Sequence, residues 1–147
     1  AAPIWDSCAR GTIVGITAKT SKEHIIRAAL ESIAYQVKTL LDAISDCCKN
    51  KPDSLKVDGG ISRSDFLMQF QADILGIPVE KPSNIEASAL GAALFAGLSA
   101  GVWNDIGQIQ SKQTEKHCFF PQMDSKRRDE LMSNWNKAVE RSLNWAK

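Results

Sequence analysis

Val57-Asp58-Gly59-Gly60-Ile61-Ser62 is the stretch of this sequence best suited to hold a phosphorylated ligand. A short strand ends in two glycines, and a helix-start signal, Ser62 with Asp65 three residues on, follows at once. Glycine permits positive φ and lets a ligand come close to the backbone. A helix start offers unpaired N–H groups and the positive end of the dipole, which suit phosphate or another polar part of a nucleotide. The turn also closes a strand at its carboxyl end, where open α/β sheets bind ligands. The alternative is a tight strand-to-helix turn that holds nothing, since glycine turns are common punctuation. No lysine follows the glycines as in a Walker loop, and the pattern is not G-x-G-x-x-G. Any phosphate here is therefore held by backbone. Asp58, the acid beside the turn, either caps it or reaches a metal-bound phosphate through water.

Other reactive residue types are scattered. Cys47 and Cys48 are neighbours and badly placed to bridge each other. With Cys8 and Cys118 they form no C-x-x-C and no zinc spacing, which reads as free thiols in a reducing compartment. His24 and His117 are isolated, so no nucleophile-base pair shows in the spacing. Lys126-Arg127-Arg128 lies among Asp124, Asp129 and Glu130, as a solvated helix face does, and not as a nucleic-acid patch. Asp6 and Arg10 are placed for a local ion pair of small value. Trp5, Trp103, Trp135 and Trp145 read as core or interface anchors.

These residues need elements to position them. The chain has 147 residues, 44% hydrophobic and 24% charged, enough for one domain with a core. A net charge of +1 draws it to neither nucleic acid nor an anionic membrane. No apolar run reaches the ~18 residues of a membrane span. No secretory leader is visible, and Ala1-Ala2-Pro3-Ile4-Trp5 reads as cut from something longer.

Arg10–Thr17 is a β-branched run with glycine at its edges and reads as a buried strand. Ile25, Ile26, Ala29, Leu30, Ile33, Ala34 and Val37 recur at helical spacing, predicting one amphipathic helix from His24 to about Cys48. Ser54–Asp58 is a short strand. Ser62 opens a helix carrying Phe66, Leu67, Phe70 and Ile74, and Gly76 caps its end. Pro78–Pro82 reads as an edge strand because of its prolines. Glu86–Ala100 is a small-residue helix that reads as a buried packing element. A turn and a short helix follow Asn104, Glu115–Phe120 is extended, and residues 125–146 form a closing amphipathic helix. The alternation of strand and helix predicts an α/β layered domain with parallel neighbours. Its short strands are few for an independent sheet.

Several pieces, in this order, resemble the FGGY family of carbohydrate kinases. They are Gly11-Thr12-Ile13-Val14-Gly15-Ile16, then His24-Ile25-Ile26-Arg27-Ala28-Ala29-Leu30-Glu31, the Asp58-Gly59-Gly60 turn, and Ala89-Leu90-Gly91-Ala92-Ala93. Ala2-Pro3-Ile4-Trp5-Asp6, Leu30-Glu31-Ser32-Ile33-Ala34-Tyr35-Gln36 and Phe66-Leu67-Met68-Gln69-Phe70-Gln71-Ala72-Asp73-Ile74-Leu75 are similar to its glycerol-phosphorylating branch. The resemblance runs over essentially the whole chain.

It implies an actin-like, ribonuclease-H-like α/β domain present as its C-terminal portion, residues 1–147 being the last part of the second, nucleotide-side domain. It implies a cytoplasmic kinase that uses ATP and Mg2+ to phosphorylate a terminal hydroxyl of glycerol. It also implies that Gly60, with Gly59 beside it, lies against ATP or ADP. A residue four positions on, usually Asn, contacts the adenine end; here that residue is Ser64, shorter and without an amide, which a water can extend. The implied nucleotide-binding set is Gly59, Gly60 and Ser64, with no catalytic residue and no metal ligand in the chain. The catalytic Asp, the glycerol-binding residues, the phosphate loops and the first strands of the sheet would lie upstream. The segment alone is then expected to be inactive, to expose a sheet edge and to self-associate. In some relatives the stretch matching Pro121–Glu130 binds a transport regulator; Lys126-Arg127-Arg128 departs from that pattern, and the partner is not carried over. Two other readings stay open: a xylulose- or gluconate-type kinase of the same family, and a non-catalytic nucleotide-binding or assembly module.

Overall fold

The computed structural model describes residues 3–110 and 116–146. The elements run α1 (Lys22–Cys48), β1 (Leu55–Lys56), a 3-10 turn (Gly60–Arg63), α2 (Asp65–Leu75), β2 (Val79–Pro82), α3 (Ala87–Ser99), α4 (Ile106–Gln110), β3 (Lys116–Phe119) and α5 (Ser125–Glu140). At the start of α1 the Ser21 N–H donates to His24 Nδ1 at 3.1 Å. Its 27 residues make a rod of about 40 Å. Ion pairs one turn apart, Arg27–Glu31 and Lys38–Asp42, line its outer surface, each adding a few tenths of a kcal/mol.

The strands form one sheet in the order β1-β2-β3. β1 runs parallel to β2, with Leu55 opposite Val79. β3 runs antiparallel to β2, with Phe119 opposite Val79 and Lys116 opposite Pro82. α2 packs on this sheet with one face and on α1 with the other. Leu67, Ile74 and Val79 are fully buried at the centre, with Ala34, Tyr35, Met68 and Phe70 around them. The Tyr35 ring meets Phe70 edge-on at 5.5 Å and stacks on Trp135 of α5 at 5.3 Å. Trp135 Nε1 donates to Thr39 Oγ1 at 3.3 Å. Burial, reinforced by the charge of Glu31, pushes the Tyr35 phenol up to about 12.

Several expectations are corrected. Pro78–Pro82 is the central strand, not an edge: Pro78 precedes the paired residues and Pro82 ends them, so the donors between are free to pair. Arg10–Thr17 is irregular and exposed, with Ile13 62% and Ile16 60% accessible, because no described strand lies beside it to complete a ladder. α3 buries none of its residues, and Phe95 is 67% exposed. Trp103 does pack on α3 at Gly97, where an added Cβ would meet the indole at 2.5 Å. The closing helix stops at Glu140, with Arg141 as its cap, and not at 146.

Asp6 does not pair with Arg10. Its carboxylate accepts from the backbone N–H groups of Cys8 and Asn144, each at 2.7 Å, and the Asn144 bond above all holds its pKa low. Arg10 donates instead to the carbonyls of Ser7 and Ala9. The basic run is only partly solvated. Arg128 folds inward and donates from Nε to the Asp73 carbonyl at 2.7 Å. Trp5 and Trp145 are exposed, so of these residues it is Trp135 that anchors the core. The four cysteines carry free thiols. Among the described residues no helix is long and apolar enough to cross a membrane.

Candidate functional site

The double-glycine turn leaves the sheet beside the end of β2. The Val57 N–H donates to the Glu80 carbonyl at 3.0 Å, and the Gly59 N–H to the Ile85 carbonyl at 2.9 Å. These bonds carry the chain beyond β1 and fix where it turns. Gly59 then takes φ 78° and ψ 175°, a region essentially reserved for glycine. Around Gly60 there is open space: a Cβ built there or on Gly59 has nothing within 4 Å. The Gly60 N–H, at the start of the 3-10 turn, has no acceptor among the described residues. It is a free donor on an uncovered stretch of backbone, which is what a nucleotide resting on main chain requires.

Ser62 does not open α2, as its spacing to Asp65 suggested. It is fully buried, and its hydroxyl donates to the Gly59 carbonyl at 2.6 Å, closing the turn from beneath. Nor does Asp58 close it; that side chain is exposed. The helix cap is Ser64, whose Oγ accepts from the Leu67 N–H at 3.3 Å. Such a hydroxyl still has its proton to donate. Gly59, Gly60 and Ser64 therefore share one short turn, with the glycine backbone open and the serine oxygen committed to α2. Ile61, beside Gly60, is half-exposed and adds an apolar surface to the same turn.

Next to the turn lies an open cleft of about 980 Å³ between Arg63, Asp65, Lys81 and Ile85 on one side and Lys116 and His117 on the other. Gly59, Gly60 and Ser64 do not line it. Its cations are already paired: Lys81 with Asp65 at 2.6 Å, Lys116 with Glu80 at 2.8 Å, and Arg63 with Glu86 at 3.2 Å. The Lys81 hydrogen bond holds the Asp65 carboxyl below its usual range, the Lys116 bond does the same for Glu80, and Glu80 in turn raises Lys116. An anion entering this cleft would have to displace those carboxylates, so the uncovered backbone is the better seat. Among the described residues no three His, Cys, Asp or Glu side chains converge on a metal position.

Sequence reasoning placed the glycines but missed two supports. Ile85 holds Gly59 through its carbonyl, which no side-chain pattern can signal. The Arg63–Glu86 pair ties the 3-10 turn to the start of α3 across 23 residues; only the opposite charges hinted at it.

A model of the FGGY family of carbohydrate kinases, C-terminal domain, matches residues 1–100. The chain belongs to this family. Its fold is the C-terminal part of an actin-like, ribonuclease-H-like domain. A glycerol kinase of Pseudothermotoga lettingae is 54% identical over 144 residues, spanning 98% of this chain and 29% of that protein. One of Thermoanaerobacter sp. is 52% identical over 145 residues, with 99% and 29% covered. The crystal structure of Plasmodium falciparum glycerol kinase with ADP superposes with a TM-score of 0.83 at 38% identity, over 97% of this chain and 28% of that one. A xylulose kinase of Lactobacillus acidophilus gives a TM-score of 0.69 at 30% identity, over 95% of this chain and 29% of that one. The chain thus spans less than a third of the length of these relatives.

Proposed function

We propose that residues 1–147 are the C-terminal portion of the nucleotide-side domain of a glycerol kinase, which moves the γ-phosphoryl of ATP to a terminal hydroxyl of glycerol and gives glycerol 3-phosphate. One observation carries the nucleotide role: the Gly59–Gly60 turn presents bare backbone and a free N–H to open space. The substrate assignment rests on likeness. Identity is 52–54% with the first two glycerol kinases and 38% with that of Plasmodium falciparum, against 30% with the xylulose kinase.

In this reading Gly60 donates its N–H to the adenosine part of the nucleotide, Gly59 supplies the bend, and the Ser64 hydroxyl reaches the adenine end directly or through water. Phosphoryl transfer depends mostly on positioning and charge neutralisation. This chain contributes positioning, by fixing one wall of the nucleotide pocket on β1 and α2. The groups that grip the phosphates, hold Mg2+ and take the hydroxyl proton would belong to the rest of the protein. The four free thiols fit the reducing cytoplasm, where we place it.

A coupled ATP-consumption assay on the full protein, with a panel of polyols and sugars, tests the substrate. Turnover of glycerol is expected. Turnover of a pentulose or gluconate without glycerol would overturn that assignment in favour of another sugar kinase of the family. Gly60→Val puts a branched side chain where the nucleotide would rest and should abolish ADP binding; unchanged affinity would remove Gly60 from the pocket. No nucleotide binding by the folded wild type would favour a purely structural module.

A further inference from the structure

We propose that Ser62 is a positioning residue that aims the Gly60 N–H at the nucleotide, an inference that rests on the turn being a nucleotide wall. The Gly59 carbonyl and the Gly60 N–H belong to one peptide unit. That unit is planar and trans, so its C=O and N–H point in opposite directions. Ser62 grips the carbonyl twice, with its hydroxyl at 2.6 Å and its own backbone N–H at 3.1 Å. Whatever holds the carbonyl therefore turns the N–H the opposite way, and Gly60 itself is exposed.

The hydroxyl matters because, among the described residues, only Ser62 bonds this carbonyl, and the hydroxyl makes the shorter of its two bonds. Gly59 has no side chain to restrict its rotation. Its own N–H is held separately, by the Ile85 carbonyl at 2.9 Å, which fixes the preceding peptide and not this one. Removing the Ser62 hydroxyl leaves one donor on the carbonyl, at 3.1 Å, and lets the plane tilt. Ser62 is itself wholly shielded from solvent, and Gly59, whose carbonyl it holds, is half-buried. The α2 cap belongs to Ser64, so the Ser62 hydroxyl is not needed to start the helix.

Steady-state kinetics on the full protein carrying this chain test the assignment, with melting temperatures measured alongside. Ser62→Ala should raise KM for ATP about five- to tenfold, leaving kcat and KM for glycerol within about twofold. Ser62→Cys keeps a weaker donor and should fall between. Thr39→Ala, which loses the Trp135 hydrogen bond in the core, should lower the melting temperature without moving KM for ATP. A Ser62→Ala protein that melts earlier at unchanged KM for ATP would show that Ser62 only packs, and the proposal would fall. If Ser62→Ala does not fold, Ser62→Cys decides, and a wild-type KM for ATP overturns the proposal. A wild type that does not turn over glycerol contradicts the function proposed above instead. ADP titration of wild type and variant then reads the Ser62 role directly, a matching Kd sinking it and a weaker one in the variant supporting it.

Discussion

A phenol stacked on an indole and flanked by a benzene ring gives up its proton late. Tyr35 is the chain's one tyrosine, so its titration can be followed without overlap. Its folded pKa of about 12 lies above the ordinary phenol value of 10.0, so the fold favours the neutral form. Stability linked to Tyr35 is then full below pH 10.0 and is lost as pH rises towards about 12. Near-ultraviolet absorbance of the folded protein should show no phenolate midpoint near 10; finding one there would contradict the stack. At this scale the glycine turn was legible as a strand-to-helix bend, since Gly59-Gly60 follow the short strand Ser54–Asp58, but whether it holds a ligand was not. The roles of Ser62 and Ser64 were not legible. Both precede an apolar helix by a few residues, and only the three-dimensional turn shows that one closes it while the other caps α2.

Helices carried their signals in periodicity and end residues: α1 and the end of α2 follow them closely, whereas α2 starts after Ser64 and not after Ser62. Gly76 ends α2 at φ 72°, and an added Cβ would meet the Arg128 guanidinium at 2.7 Å. Gly76→Ala therefore combines a strained backbone with a displaced arginine. Chemical denaturation should show a loss of about 1–2 kcal/mol; no loss would mean that Arg128 is not held there. The strands were harder to read, because their order depends on distant partners and not on local pattern. Pro78 before β2 and Pro82 at its end mimicked an edge, yet β1 and β3 pair with it on its two sides. The ion pairs Lys81–Asp65 and Lys116–Glu80 link β2 to α2 and to β3. Both carboxyl pKa values are lowered, so their contribution is full above the ordinary values of 3.8 and 4.5 and is lost as pH falls through the depressed ones. Lys116 is raised, and its share is lost above 10.5. Each pair has one exposed member, Asp65 or Lys116, and one partly buried member, so the acid loss should be small and should shrink in high salt. Melting curves through the acid range at low and high salt check this; an acid loss that salt leaves unchanged would point to buried groups instead.

At the scale of the whole molecule, two apolar surfaces lack cover among the described residues. One is the groove of about 370 Å³ between Ile13, Val14 and Ile16 and the start of α1. The other is α3 with Phe95. The sequence marked both as buried because their composition suits a packed interior, and composition does not say whether the covering elements lie in the same segment. This chain spans 29% of its glycerol kinase relatives. Expressed alone it should self-associate, and the double substitution Ile13→Lys, Ile16→Lys should shift it towards monomer by light scattering. A monomeric wild type at high concentration would contradict this.

In the proposed reading the double-glycine turn is a wall of the nucleotide pocket. Amide hydrogen exchange of the full protein with and without ADP tests it most directly. Slowed exchange in the peptide covering Gly59 to Ser64, strongest at the Gly60 N–H, is the expected result. Saturating ADP that protects other segments and leaves this turn exchanging as before would contradict it.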